Sequence, residues 1–203
     1  MTDTITLKHI FIDHSNMWGG ARLASKIRTP EKPDADARLS IRRLDQVLGG
    51  LDRGVTTKIV SGGIPPGMET VWSEYQSVGY DTQRLFRDAN WRERGVDHSL
   101  IGHIWRLAAK HRTSPTQLVL ASGDGKANEF NTSFYEILEL LLGDAQYESW
   151  NVTVASFDWD AKVTGVQPPT AGKIRNIVTR SPRGKLLNLF DYYDKIVFHQ
   201  AHV

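Results

Sequence analysis

Apolar, β-rich runs alternate along this chain with segments of helical period, and that alternation limits the fold more than any other feature. KHIFID, VTTKIV, TQLVLASGD and WNVTVASF read as strands, and YDTQRLF as a weaker one. Between them, METVWSEYQSVG places Val71, Trp72, Tyr75 and Val78 on or near one helical face, with Gly79 as its C-cap. VDHSLIGHIWRLAAKH carries Leu100, Ile104 and Leu107 in a stripe, and FYEILELLLG is an apolar helix ended by Gly143. RLSIRRLDQVLGGL repeats Leu39, Leu44, Val47, Leu48 and Leu51 at helical spacing. Strand and helix in turn imply crossover connections and a mainly parallel sheet covered on both faces. The expected class is three-layer α/β/α.

The pattern weakens in two places. Met17 to Ala37 is rich in Gly, Pro, Lys and Arg and reads as a long loop. Beyond Asp158, QPPTAGK reads as a loop, LLNLFDYY as a short helix and KIVFHQ as a last strand. The whole chain, 1–203, is expected to be one domain, with 158–203 an extension packed on it. Trp72, Trp105 and Trp150 are expected in the core.

The chain has no cysteine, which excludes disulfides, thiolate zinc sites and thiol nucleophiles and fits a reducing compartment. It opens without a basic start and long apolar segment, and no run is long enough to cross a bilayer. A soluble, intracellular, cytoplasmic protein with no membrane partner is expected. The formal charge of +2 permits a nucleic-acid partner without arguing for one.

Acids fall where strands end. Asp13 closes KHIFID and Asp124 closes QLVLASGD, whereas Asp97 opens a helix. In an open parallel sheet, ligands bind outside the carboxyl ends of strands, where the strand order reverses. Carboxylates gathered there stay ionised together only beside a cation, and hard oxygen donors select Mg²⁺ or Mn²⁺ over zinc. Aspartates after strands are also ordinary caps and turn residues. Spacing alone leaves both readings open.

The sequence FIDHSN resembles the D-x-x-N strand-end motif of the NYN domain, a branch of the PIN-like metal-dependent nucleases. SGGIPPGMETVWSEYQSVGYDTQRLFRD resembles that family's second strand, helix and third strand. RERGVDHSL is similar to its K-E-x-x-V-D segment, and LVLASGDGKANEF to its strand ending in S-G-D. The resemblance runs from Lys8 to about Phe157. It implies a PIN-like sheet of order 3-2-1-4-5 and an acidic pocket for Mg²⁺ or Mn²⁺. The activity it implies is an endoribonuclease. By position, Asp13, Asp97 and Asp124 become metal ligands, and Asn16 orients Asp13 or a metal-bound water. Glu93 becomes an accessory group on the phosphate side. Family members often carry a further Asp after S-G-D; here Asn128 and Glu129 stand instead, with Glu129 able to supply the charge on a longer arm. His14 takes a position that is often small or an amide, and a packing role is expected for it.

The chemistry so implied is hydrolysis of single-stranded RNA by a metal-activated water. Trp18 and Trp91 are candidate stacking platforms for bases. Arg92, Arg94 and Lys126 in the motif loops, and Arg180 and Arg183 in KIRNIVTRSPRGK, are candidate phosphate contacts. A second basic run, Arg22, Lys26, Arg28 and Lys32, reads equally as a solvated face. A haloacid-dehalogenase phosphatase would need an Asp two residues after Asp13, and no G-x-x-x-x-G-K-[ST] loop is present for a kinase. The alternative from another class is a non-catalytic RNA-binding or adaptor module with a degenerate PIN-like site. Homo-oligomer or protein partners stay open.

Overall fold

The computed structural model describes residues 6–63, 69–85, 95–123, 133–168 and 172–200. Its elements are β1 (Leu7–Asp13), α1 (His14–Arg28), β2 (Ala37–Leu39), α2 (Ile41–Val47), β3 (Val55–Gly63), α3 (Glu69–Ser77), β4 (Asp81–Leu85), α4 (Val96–Lys110), β5 (Thr116–Ala121), α5 (Phe134–Gly143), β6 (Trp150–Ser156), α6 (Ala161–Thr164), α7 (Gly172–Arg180), β7 (Gly184–Asn188), α8 (Tyr193–Ile196) and β8 (Val197–His199).

Six strands form the central sheet in the order β4-β3-β1-β5-β6-β7, and every pairing in it is parallel. Numbered by this sheet alone, the order is 3-2-1-4-5-6. The expected five-strand order 3-2-1-4-5 is therefore not the one found, because β7 adds a sixth strand beyond β6. LLNLFDYY, expected as a helix, begins as the end of that strand. Its adjacent leucines serve opposite faces, Leu186 packing with the core under α4 and α5 and Leu187 with the core under α1. That is the period of a strand, which two neighbouring leucines do not reveal. The last strand, β8, joins no part of this sheet and pairs antiparallel with β2.

Alternation along the strands divides the core in two. Ile10, Ile12, Val60 and Val119 face α1, α2 and α3, where Met17, Leu44, Trp72 and Tyr75 are buried. Phe11, Ile59, Leu118, Leu120 and Val154 face α4, α5 and α7, supplying Leu100, Ile104, Ile137, Leu141 and Val178. Full burial of each such side chain contributes about 1.5–3 kcal/mol, so both helical layers are held by the hydrophobic effect. Trp72 and Trp150 are buried as expected, but Trp105 is not a core residue: it stands 46% exposed on the outer face of α4.

The expected loop from Met17 to Ala37 is instead mostly helix α1. Its buried stripe is built from small residues, Gly20, Ala21, Ala24 and Ser25, beside Met17. A Cβ at Gly20 would sit 2.7 Å from the Phe157 ring. The glycine that looked like a helix breaker is what lets α1 approach the sheet.

Arg183 fixes the far edge. Its guanidinium donates to the carbonyls of Leu141, Leu142, Tyr147 and Trp150, which closes the orphan C-terminal carbonyls of α5 against the start of β6. Hydrogen bonds to a charged group are worth about 1.5–3 kcal/mol. Arg183→Met is expected to lower stability by about 3 kcal/mol, seen as a drop of roughly 6–12 °C in Tm at this chain length. Arg180→Met, at an exposed position on α7, should leave Tm within about 1 °C.

On β1, His9 is buried against Trp150 and His111, with Nδ1 3.1 Å from the Thr56 hydroxyl. Burial, with help from His111 and Lys110, pushes its pKa down to about 4 from an ordinary 6.5. The unfolded chain therefore binds more protons between those values, and folding loses stability as pH falls from about 6.5 towards 4. The loss ascribed to His9 approaches 3 kcal/mol. In urea titrations between pH 7 and pH 4.5, His9→Gln should show a shallower decline than the natural chain.

Candidate functional site

In the sheet order, strand succession reverses between β1 and β5, and the candidate site lies at their carboxyl ends. Asp13 ends β1 and is also the N-cap of α1: its Oδ1 accepts the Asn16 backbone N–H at 3.0 Å. Its Oδ2 accepts the Asn16 side-chain amide at 3.2 Å and the Ser122 hydroxyl at 3.5 Å. The Asn16 carbonyl oxygen in turn accepts the Gly123 backbone N–H at 3.3 Å. One aspartate and one asparagine thus tie the end of β1, the start of α1 and the exit from β5 into a single unit. Asp13 is only 3% exposed, far more enclosed than an ordinary cap.

Asp13 belongs to a row. It pairs with Ser61 of β3, and Ser61 with Gln83 of β4. Ile12 pairs with Ala121, which sets Ser122 opposite Asp13; Ala121 pairs with Ala155, which sets Ser156 opposite Ser122. Ser156 pairs with Asn188 of β7. Five of the six strands therefore turn polar at the same level, directly after an apolar level containing Val60, Ile12, Ala121, Ala155 and Leu187, while the edge strand β4 is polar at both levels, with Thr82 and Gln83. Ser61, Asp13, Ser122 and Ser156 are all buried. By alternation they share the face of Phe11 and Leu120, the face covered by α4, α5 and α7.

Asp97 is in the first turn of α4, which leads from β4 into β5 and packs on that same face. Its helix start is at the carboxyl end of the sheet, so topology brings it to the same edge and face as Asp13. Asp124 follows Gly123 directly in the chain and lies outside the described residues, as do Glu93, Asn128, Glu129, Arg92, Arg94, Lys126 and Trp91. Among the described residues no group of three acidic or histidine side chains is placed to hold a metal ion. The described donors are hard carboxylate and amide oxygens, a chemistry that fits Mg²⁺ or Mn²⁺. Asp13 and Asp97 could each supply one such ligand.

His14 is packing, not ligation. Its ring is buried between Trp72 and Tyr75, with Nδ1 3.2 Å from the Tyr75 hydroxyl. Burial lowers its pKa to about 4, so it is neutral at pH 7. Burial first, and then the Asp13 carboxylate, pushes the Tyr75 phenol well above its usual range. Gly62, at the end of β3, would press a Cβ to within 3.1 Å of the His14 Cβ, so this contact also depends on a missing side chain.

The two arginines of the C-terminal basic run are not brought to the site. Arg180 ends α7 and Arg183 precedes β7, at the amino edge of the sheet. A seven-residue strand such as β1 separates the edges by roughly 20 Å. Arg183 is moreover committed to four carbonyls. In the other run, Arg22 and Lys26 lie 3.0 and 3.8 Å from Asp34, while Arg28 bonds the Phe190 carbonyl. Trp18 packs at the edge of the α1 core with Arg22 over its ring.

Two residues at the carboxyl edge were not anticipated. Ser122, the serine of S-G-D, reaches Asp13. Asp158 follows the end of β6, is nearly buried and is ion-paired with Arg175, beside an open cleft of about 800 Å³. The signal that singled out Asp13, an acid directly after an apolar strand, was present for Asp158 in VTVASFDWD as well.

No family model matches the chain, and no curated protein matches it. What the fold and site define is a class: a parallel α/β sheet covered by helices on both faces, with a fixed buried carboxylate at its switch point. Among the described residues, no helix is long and apolar enough to cross a membrane.

The tie itself can be tested. Asn is as good an N-cap as Asp, so Asp13→Asn should keep the cap and fold, at a cost of about 1–3 kcal/mol for the buried amide donor it sets against the Asn16 amide. Asn16→Ala removes the amide bonds to Asp13 and Gly123 and should cost about 1–2 kcal/mol in chemical denaturation.

Proposed function

We propose that the chain is a metal-dependent ribonuclease of the NYN/PIN-like kind, hydrolysing phosphodiester bonds of single-stranded RNA. The observation that supports it most is the Asp13–Asn16–Gly123 link across the switch point, one residue before the second strand-end aspartate, Asp124. Asp13, Asp97, Asp124 and Glu129 are the residues that would hold Mg²⁺ or Mn²⁺. The bound ion would supply a water of lowered pKa and offset charge on the phosphorus.

The protein's own part is positioning. Asn16 holds both oxygens of Asp13 in one orientation, and Ser122 holds the second oxygen from the far side. Partners that orient a ligand in this way typically change metal affinity or activity by 10–100-fold when removed. Attack by Ser15 is disfavoured, because among the described residues no general base is paired with it. The phosphate path then runs over the carboxyl edge rather than past Arg180 and Arg183.

Labelled single-stranded RNA incubated with Mn²⁺, with and without chelator, tests this directly. Metal-dependent cleavage is expected. It should vanish in Asp13→Asn, which keeps the cap, and fall by roughly 10–100-fold in Asn16→Ala. Normal cleavage by Asp13→Asn would overturn the reading, and RNA binding without any cleavage would favour the non-catalytic module.

A further inference from the structure

A second recess opens one residue past Asp13, on the opposite side of the sheet edge. Its volume is about 330 Å³, within the range of small-ligand sites. His14 and Trp18, one helical turn apart on α1, form one wall; Thr70 and Glu74 of α3 form another; Arg38 and Phe198 of the β2/β8 pair close it. We propose that this recess is a nucleobase subsite, holding one base of an RNA strand whose phosphate lies at Asp13, and that guanine is the base it prefers. The proposal rests on the ribonuclease reading for the position of that phosphate.

Three observations carry it. Trp18 lies five residues after Asp13, about 7.5 Å along the helix, so a nucleotide adjoining the one at Asp13 can reach it. Its indole is braced by the Arg22 guanidinium 5.2 Å from the ring centre, and a second aromatic, Phe198, is 48% exposed beside the same recess. Unstacked RNA bases are held by such aromatic surfaces, at about 1–3 kcal/mol per base. The polar wall offers a carboxylate, Glu74, and a guanidinium, Arg38.

Those two groups discriminate between bases. Guanine presents two adjacent N–H donors on its pairing edge, which a carboxylate accepts together. Its O6 and N7 accept from arginine. Uracil and cytosine lack the paired donors, and adenine presents an acceptor where guanine has N1–H. A correctly paired base edge is worth about 1–3 kcal/mol against the wrong base, or roughly 5- to 150-fold in affinity.

Fluorescence anisotropy on the full chain, in chelator so that no cleavage occurs, gives the test. Labelled hexauridine is compared with hexamers carrying a single G, A or C. The single-G RNA should bind at least about 10-fold tighter than the other three. Glu74→Gln, a change at an exposed helical position, should abolish that preference without weakening hexauridine. Trp18→Phe, which keeps a ring in place, should retain both stacking and the guanine preference. Equal affinity for all four RNAs, or a guanine preference that survives Glu74→Gln, overturns the subsite. Mn²⁺-dependent cleavage scored in parallel separates the two readings: cleavage with no base preference sinks the subsite alone, and a guanine preference without cleavage sinks the nuclease alone. No RNA binding at all sinks both.

Discussion

The candidate site depends on one hydrogen-bonded pair, Asp13 with Asn16. A helix N-terminus needs an acceptor for its first N–H groups, and Asp13 supplies it. Ordinary caps do this in water, at the surface. Here the capping carboxylate is buried, and the asparagine that it caps reaches across to the backbone after β5. The same bonds that start α1 therefore fix the distance between the two strand ends at the switch point. Structural and functional readings of this aspartate are not rivals, since a cap that immobilises a carboxylate is also a way to preorganise a ligand.

The polar row gives that pair its setting. A parallel sheet covered on both faces is apolar through its middle, and its helices begin beyond the carboxyl ends of the strands. Five of the six strands change from apolar to polar at one register level, so the core stops along a line rather than raggedly. Past that line the helix starts of α4, α5 and α7 lie on one face, each with N–H groups directed toward the edge. Their positive dipole ends favour negative charge there. An acidic ligand set and a phosphate both gain from that field, whereas the amino edge, where Arg183 caps α5 through its carbonyls, has the opposite character.

Much of this architecture was legible from residue pattern. Strands β1, β3, β5 and β6 announce themselves because burial on both faces leaves continuous apolar runs, and α4 and α5 because large residues recur at helical period. Helix α1 was hidden because its buried stripe uses Gly20, Ala21 and Ala24, small residues chosen for close approach to Phe157 and nearly silent on any hydropathy scale. Strand β7 was hidden for the opposite reason: Leu186 and Leu187 are both apolar, yet face different layers. Of the site, Asp13 and Asn16 could be named from FIDHSN, but their partnership with Gly123 is a fact of sheet order. Arg180 and Arg183, expected as phosphate contacts, stand at the amino edge of the sheet, away from Asp13. A basic run in sequence carries no information about which edge of a sheet it occupies.

Asp13 and the Trp18 recess lie on opposite sides of the sheet edge, and this separation has a physical consequence. A carboxylate cluster repels phosphate, so a site built from acids alone binds its substrate poorly until a cation intervenes. Affinity that does not depend on charge must come from elsewhere, and base stacking is the term that survives both salt and loss of metal. Among the described elements, helix α1 touches both surfaces: its first residue boundary is Asp13, and its second turn bears Trp18. Rotating or shifting α1 would move the carboxylate and the aromatic wall together. The close contact of Gly20 with Phe157 holds the helix against such a shift, so the packing of a glycine nearly two turns from Asp13 would set the register between the base proposed for the recess and the phosphate proposed at Asp13.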